Sequence, residues 1–400
     1  MEKRDIPMTT KLLKTLTLIL CCALFGSGCA AKAVKTGPVF WPTPPDEPRI
    51  QYLTGINTSK DLGDKKSQDS FSLILTGSDA STRIRKLGKS YGIAAKNKKL
   101  YLAEIGNAEV VVIDPVKGVF ESPKGMQDAR GKLKAPVNVD VDKEGNIYVV
   151  DTGRNEVVVF GPDGRFLKTI GQEFPPPTKI VAVAVSDDTL YLLDSGTGVI
   201  RVLDIKTGEQ VGSLGKIDKQ GQSLVLPTNL TVDDKGYLYA TNTGNNKVMK
   251  YDRDGNFLGS LGGLGDRVGN FSRPKGLAVD KDGQIYVVDA AFSMVQMFDS
   301  SMRLLTFFGQ PGLEAGSLNL PAGIAVSNEN LDIYQQFAAP GFKVETLIYV
   351  VNQLGQEFNT PRISVYGLGR MEGWKPDPAE AARRKKAAEK AAAKSTAAPK

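Results

Sequence analysis

The chain has 400 residues, 41% hydrophobic and 8% aromatic, which is enough apolar material for a large buried interior. Its formal charge of +7 is concentrated at the ends: residues 1–28 carry four basic and two acidic side chains, residues 376–400 carry seven and three, and the body is left at +1. That body is too neutral for the counterion release that drives nucleic-acid binding. Histidine is absent and the three cysteines stand at 21, 22 and 29. These facts exclude imidazole bases, Ser-His-Asp triads, histidine-bound metals, a disulfide framework and any thiol nucleophile in the body.

The first segment, KLLKTLTLILCCALFGSGC at 11–29, has basic residues, an apolar stretch from Leu12 to Phe25 and then small residues. It reads as a signal peptide over 1–28, too short to span a membrane comfortably. Gly26-Ser27-Gly28-Cys29 resembles a bacterial lipobox, with Gly26 where leucine is usual. The resemblance implies acylation of Cys29, attachment to a lipid membrane by several acyl chains and, with Ala30 next, localisation at a Gram-negative outer membrane. An ordinary secretory cut after Ala31-Lys32-Ala33 is the competing reading. Residues 29–47, rich in proline, are expected to form an extended tether.

Six tripeptides then recur: Leu100-Tyr101-Leu102, Ile147-Tyr148-Val149, Leu190-Tyr191-Leu192, Leu238-Tyr239-Ala240, Ile285-Tyr286-Val287 and Ile348-Tyr349-Val350. Their spacings of 47, 43, 48, 47 and 63 residues belong to radial or solenoid repeats. An apolar strand precedes each, as in VNVDV or GLAV, and Pro136, Pro227, Pro274 and Pro321 open four of them, where a strand's first residue tolerates a missing N–H. A third strand (EVVVF, KVMKYD) and a glycine-ended fourth (RFLKTIGQ, NFLGSLGG) follow, with turns such as PDGR and KDGQ. Four antiparallel strands per repeat describe a propeller blade, and the chain is expected to be all-β. The tyrosine should fill the space between blades, its hydroxyl free to find a partner.

The sixth repeat has no fourth strand. A strand from the start of the chain would close the ring and leave no exposed edge. Both PRIQYLTGI at 48–56 and FSLILTG at 71–77 have the required form. The propeller is expected to occupy 48–370, and residues 371–400 a charged, Ala/Lys-rich tail.

The pattern P-x-G-[IL]-A-V-D followed by I-Y-V-V-D-T-G-x-N-x-V, fullest at 274–296, 136–159 and 227–248, resembles the NHL repeat. The resemblance implies a six-bladed β-propeller, and with WPTPPDEPRIQYL and the lipobox it extends to bacterial NHL-repeat lipoproteins. The fold itself hosts protein-binding, RNA-binding and enzymatic members. The expectation is a non-catalytic, exported platform for an envelope or secreted protein, without cofactor and without nucleic acid. The alternative is a calcium-dependent hydrolase or lactonase with its site in the axial channel, as in gluconolactonase-type propellers. Amidating-lyase propellers rely on histidine-bound zinc, which this chain cannot supply.

Three sets of residues stand out. Glu104, Asp151, Asp194, Asn242, Asp289 and Asn352 end the second strands; they are read as turn caps rather than oxygen ligands for one cation, because a ring spreads them apart. Asn138 and Asn229 take equivalent places on innermost strands, where they would hold structural water or, in the hydrolase reading, a metal ion. Tyr334, Phe337 and Phe342, in the long insertion at 328–346, are aromatic anchors for a partner protein, or else a plug at the base of the ring or a cover over the closing blade.

Overall fold

The computed structural model describes residues 37–43, 45–62, 84–215, 223–355 and 360–375; Cys29, the 71–77 strand candidate and the tail beyond 375 lie outside them. Two short strands come first, β1 (Phe40–Trp41) and β2 (Ile50–Ile56). Five four-stranded antiparallel meanders follow. The first blade is β3 (Ser90–Lys96), β4 (Lys99–Glu104), β5 (Glu109–Asp114) and β6 (Val119–Glu121). The second is β7 (Pro136–Val141), β8 (Ile147–Asp151), β9 (Glu156–Phe160) and β10 (Phe166–Ile170). The third is β11 (Ile180–Ser186), β12 (Thr189–Asp194), β13 (Val199–Asp204) and β14 (Gln210–Leu214). The fourth is β15 (Pro227–Val232), β16 (Leu238–Asn242), β17 (Lys247–Tyr251) and β18 (Phe257–Gly262). The fifth is β19 (Pro274–Val279), β20 (Ile285–Asp289), β21 (Met294–Phe298) and β22 (Leu304–Phe308).

The sixth sheet joins β23 (Pro321–Ser327), β24 (Phe342–Asn352) and β25 (Ile363–Met371) to β2 and β1 from the start of the chain. β2 runs antiparallel to β25 from Ile50 opposite Leu368 to Ile56 opposite Ile363. Residues 48–56 therefore supply the strand that the sixth repeat lacks. Each innermost strand touches the next, and β23 returns to β3, so the ring is closed and six-bladed.

Two details differ from the sequence reading. Phe40 and Trp41, placed in the tether, form a fifth strand on the sixth blade, because Phe40 packs edge-on to Phe342 at 5.5 Å and Trp41 on Tyr366 at 5.8 Å. The 328–346 insertion is not all loop: it holds a short helix, α1 (Leu331–Gln335), and β24 begins at Phe342, pairing its first residues with Arg370 and Met371.

Second strands are apolar because they lie between two neighbouring blades; β8, β12 and β20 expose almost nothing on either face. Their tyrosines each enter a different seam between blades. Tyr101 packs with Val139 and Phe160 of the second blade, for example, and Tyr286 with Ile324 and Phe308. Burying a ring of this size contributes roughly 2 kcal/mol per seam. The tight turns between first and second strands need a left-handed residue, supplied by Gly145, Gly236 and Gly283 with φ of 88°, 81° and 79°.

Candidate functional site

All six innermost strands run in the same sense, so their free edges line an axial channel with a cavity of about 270 Å³. An inner edge strand presents N–H groups that lack a sheet partner. Between the second and third blades, side chains answer them. Oδ1 of Asn138 accepts from the Val183 N–H at 3.0 Å, and Oδ2 of Asp140 accepts from the Val185 N–H at 2.8 Å. The Asp140 carboxyl is pushed upward by burial, against the pull of Lys96 and of its two N–H donors. Asn229, at the equivalent place in the fourth blade, turns back to accept from its neighbour Leu230 at 2.8 Å. The two asparagines thus share a cavity but do different work, and Asn138 is a fastener between blades. Asp140 lines the channel with Asp233, Asp234 and Asp280 and is an acid beside Asn138 that sequence reasoning missed; its one signal was the alternation in VNVDV, which puts it on the same face as Asn138. Among the described residues no three acidic or thiol side chains converge as a metal-ligand set.

The ring of polar residues ending the second strands consists of caps. Asp151 accepts N–H bonds from Lys134 and Ala135 of the incoming loop and from Gly153 of its own turn, at 2.6, 2.9 and 3.0 Å. Asp289 repeats this with Ser272, Arg273 and Ala291, and Asn242 and Asn352 hold their loops through Val225 and Asn319. In Asp194, burial works upward on the carboxyl, but the Lys179 N–H, Thr197 and Arg201 win and hold it below its ordinary range. Glu104 departs from the set. It is fully buried and its Oε2 accepts from Asn107 at 3.1 Å, but Oε1 has no N–H or hydroxyl donor and lies beside the Glu109 carboxyl. Burial first, then Glu109, raise it to about 7.

At the end where the innermost strands begin, small residues let three blades close in. A Cβ on Gly323 would lie 2.2 Å from the Tyr91 carbonyl oxygen, and one on Gly276 would lie 2.3 Å from that of Ala322. That approach brings Lys275 of the fifth blade past Ala322 to the ring of Tyr91 in the first blade, 5.8 Å from its centroid, while Lys89 stands 5.9 Å away. Arg273 completes a trio of cations. None of the three has a carboxylate partner within 4.0 Å among the described residues. The Lys275 ammonium is held below its ordinary range by burial, then by Arg273 and Lys89. The loops that arrive at this same end from the outer strands expose large apolar side chains, Leu226 at 68%, Leu264 at 79% and Leu313 at 64%.

The aromatic residues of the insertion lie elsewhere. Tyr334 and Phe342 are 3% and 1% exposed, Phe337 is half-buried, and Tyr334 meets Tyr349 edge-on at 5.8 Å. They cover the seam between the sixth and first blades, and their apolar surface is spent there rather than offered to a partner.

The NHL repeat model matches residues 271–293. Protein brain tumor of Drosophila melanogaster is 26% identical over 132 residues, which are 32% of this chain and 12% of that protein. The chain thus spans about an eighth of that relative's length. Among solved structures, a protein of unknown function from Bacteroides thetaiotaomicron superposes with a TM-score of 0.53 at 18% identity, over 80% of this chain and 75% of the other. Virginiamycin B lyase from Staphylococcus aureus gives 0.48 at 12% identity, over 72% and 86%. The likeness to the Bacteroides protein, at 18% identity, speaks to fold alone. With the matched repeat, the recurring tyrosine seams and the closed ring taken together, the chain is a six-bladed β-propeller of the NHL-repeat type.

Proposed function

We propose that this propeller is an exported, lipid-anchored and non-catalytic platform that docks another protein of the cell envelope on the face where its innermost strands begin. The observation that carries this reading is the set of exposed apolar side chains on consecutive loops of that face, Leu226, Leu264 and Leu313. Large apolar groups clustered on loops held by a rigid scaffold are what protein interfaces use. The signal segment and Cys29 support placement at the outer membrane, and Cys29→Ser should move the protein from the membrane to the soluble fraction. Crosslinking in whole cells, followed by purification of the wild type and of a Leu226→Asp/Leu264→Asp/Leu313→Asp variant, tests the docking face. A reproducible partner lost in the variant is expected; identical capture by both would sink the reading.

The axial cavity with Asn138, Asp140 and Asn229 favours a second reading, a calcium-dependent hydrolase. A stoichiometric divalent ion in the purified protein, lost together with esterase or lactonase activity in Asn138→Ala/Asn229→Ala, would establish it in place of the platform.

A further inference from the structure

We propose that the mouth of the axial channel built from Lys89, Arg273, Lys275 and the ring of Tyr91 is a carboxylate-recognition site, taking an acidic side chain of the docked protein while Leu264 and its neighbouring loop residues hold the apolar surface around it. This rests on the reading of that face as the docking surface.

The fold gives up side-chain volume to assemble the trio. Gly276 and Gly323 leave no room for a Cβ, and Ala322 is small, so the fifth, sixth and first blades approach closely enough for Lys275 to reach Tyr91. Lys275 is half-buried there beside two like charges, an arrangement that costs free energy in the unbound protein. Other cations of the propeller have found carboxylates, Arg85 with Glu109, Arg154 with Glu156 and Arg201 with Asp194, so anionic side chains are at hand in the fold. At this end the carboxylates that close the second strands are taken up, Asp151 and Asp289 by backbone N–H groups and Asp194 by the Lys179 N–H together with Arg201. Lys275 is half-buried and the exposed Lys89 and Arg273 flank it, so three like charges without a counter-charge are complementary to an anion supplied from outside. The apolar collar favours a carboxylate carried by a protein, since Arg273 ends the same loop that exposes Leu264. A nucleic acid is disfavoured because the body is close to neutral, which leaves little counterion release to drive its binding.

The test uses the full chain in detergent and a short fluorescent peptide of alternating Glu and Leu, beside the same peptide with Gln for Glu, a single-stranded RNA oligonucleotide and inorganic phosphate. Saturable, salt-sensitive binding of the Glu peptide and none of the Gln peptide is expected. Lys89→Gln and Lys275→Gln should each weaken it about tenfold, as loss of one member of a charge-recognition site does. Lys275→Gln should also raise the thermal midpoint of the free protein, because it removes repulsion; a merely structural lysine would lower it. Equal binding of the two peptides, unchanged affinity in both variants, or preference for RNA or for phosphate alone overturns the proposal. If the Leu226/Leu264/Leu313 variant loses its cellular partner while Lys89→Gln and Lys275→Gln keep theirs, the platform stands and this site does not.

Discussion

The hydroxyl of Tyr286 donates to Oδ2 of Asp280 at 2.8 Å, while Oδ1 of the same carboxylate accepts the N–H groups of Asp282 and Gln284. A seam-filling ring is thus bolted to the turn of its own blade. Tyr148 with Asp142 and Tyr239 with Asp233 repeat the bond at 3.1 Å. The spacing of six residues places the aspartate at the start of the turn and the tyrosine one residue into the second strand's core. Burial, then the facing Asp280 charge, hold the Tyr286 hydroxyl well above its ordinary pKa, so it stays a donor.

Tyr286→Phe keeps the ring and removes the donor, leaving a buried carboxylate oxygen unanswered. A loss of about 1–2 kcal/mol is expected in denaturant unfolding. An unchanged midpoint would mean that the bond adds nothing to the packing.

Glu104 makes stability depend on pH. Its carboxyl is raised from 4.5 to about 7 in the native protein, so the unfolded chain releases that proton first. Below about 4.5 both states hold the proton and the group is neutral to folding; as pH rises from about 4.5 to about 7 the native state is progressively penalised, and above about 7 the penalty is complete. Glu109, whose carboxyl is lowered despite burial by Glu104, Arg85 and Ser122, acts in the opposite sense at lower pH, and the two titrate as a pair. Glu104→Gln should therefore be more stable than the wild type by about 2 kcal/mol at pH 8 and nearly equal to it at about pH 4. Parallel unfolding curves for the two proteins across this range would contradict the assignment.

Thr241 stands where the other second strands carry Val150, Leu193, Val288 or Val351, is fully buried, and its Oγ1 has no hydrogen-bond partner among the described residues. Thr241→Val conserves shape and removes the unanswered hydroxyl, so it should stabilise the fourth blade by about 1 kcal/mol. A lower thermal midpoint would show that the hydroxyl is satisfied after all.

Asn138→Ala removes the acceptor of the Val183 N–H. We expect a loss of about 1 kcal/mol, the same with and without chelator, because the side chain fastens two blades. A loss that chelator reproduces in the wild type would instead make Asn138 a ligand.

Deleting residues 48–56 takes away β2 and exposes the edge of β25. The ring opens, and cooperative unfolding of the whole propeller should give way to a broad, non-cooperative transition. A sharp transition at the wild-type midpoint would require some other strand to close the last blade.

Much of this molecule was legible in one dimension. The period of the tyrosines, the proline-led innermost strands and the missing sixth fourth-strand all report local demands: a blade of four strands, apolar on both faces in its second strand, and an edge that must be paired. The caps were legible too, since Asp151 and Asp289 answer N–H groups of the turns and loops that flank them. The aromatic anchors were not, because an aromatic residue in an insertion reads the same whether its ring covers a seam, as Tyr334 does on Tyr349, or faces a partner.

Repeat, strand order within each blade and blade count follow from the sequence alone, because each rests on hydrophobic periodicity and turn chemistry over a few dozen residues. Which early segment seals the ring, which asparagine bridges two blades and how Lys275 comes to rest against Tyr91 were decided only by closure. Each joins parts of the chain far apart in sequence, and no local pattern encodes a contact that exists only once six sheets have been brought around a common axis.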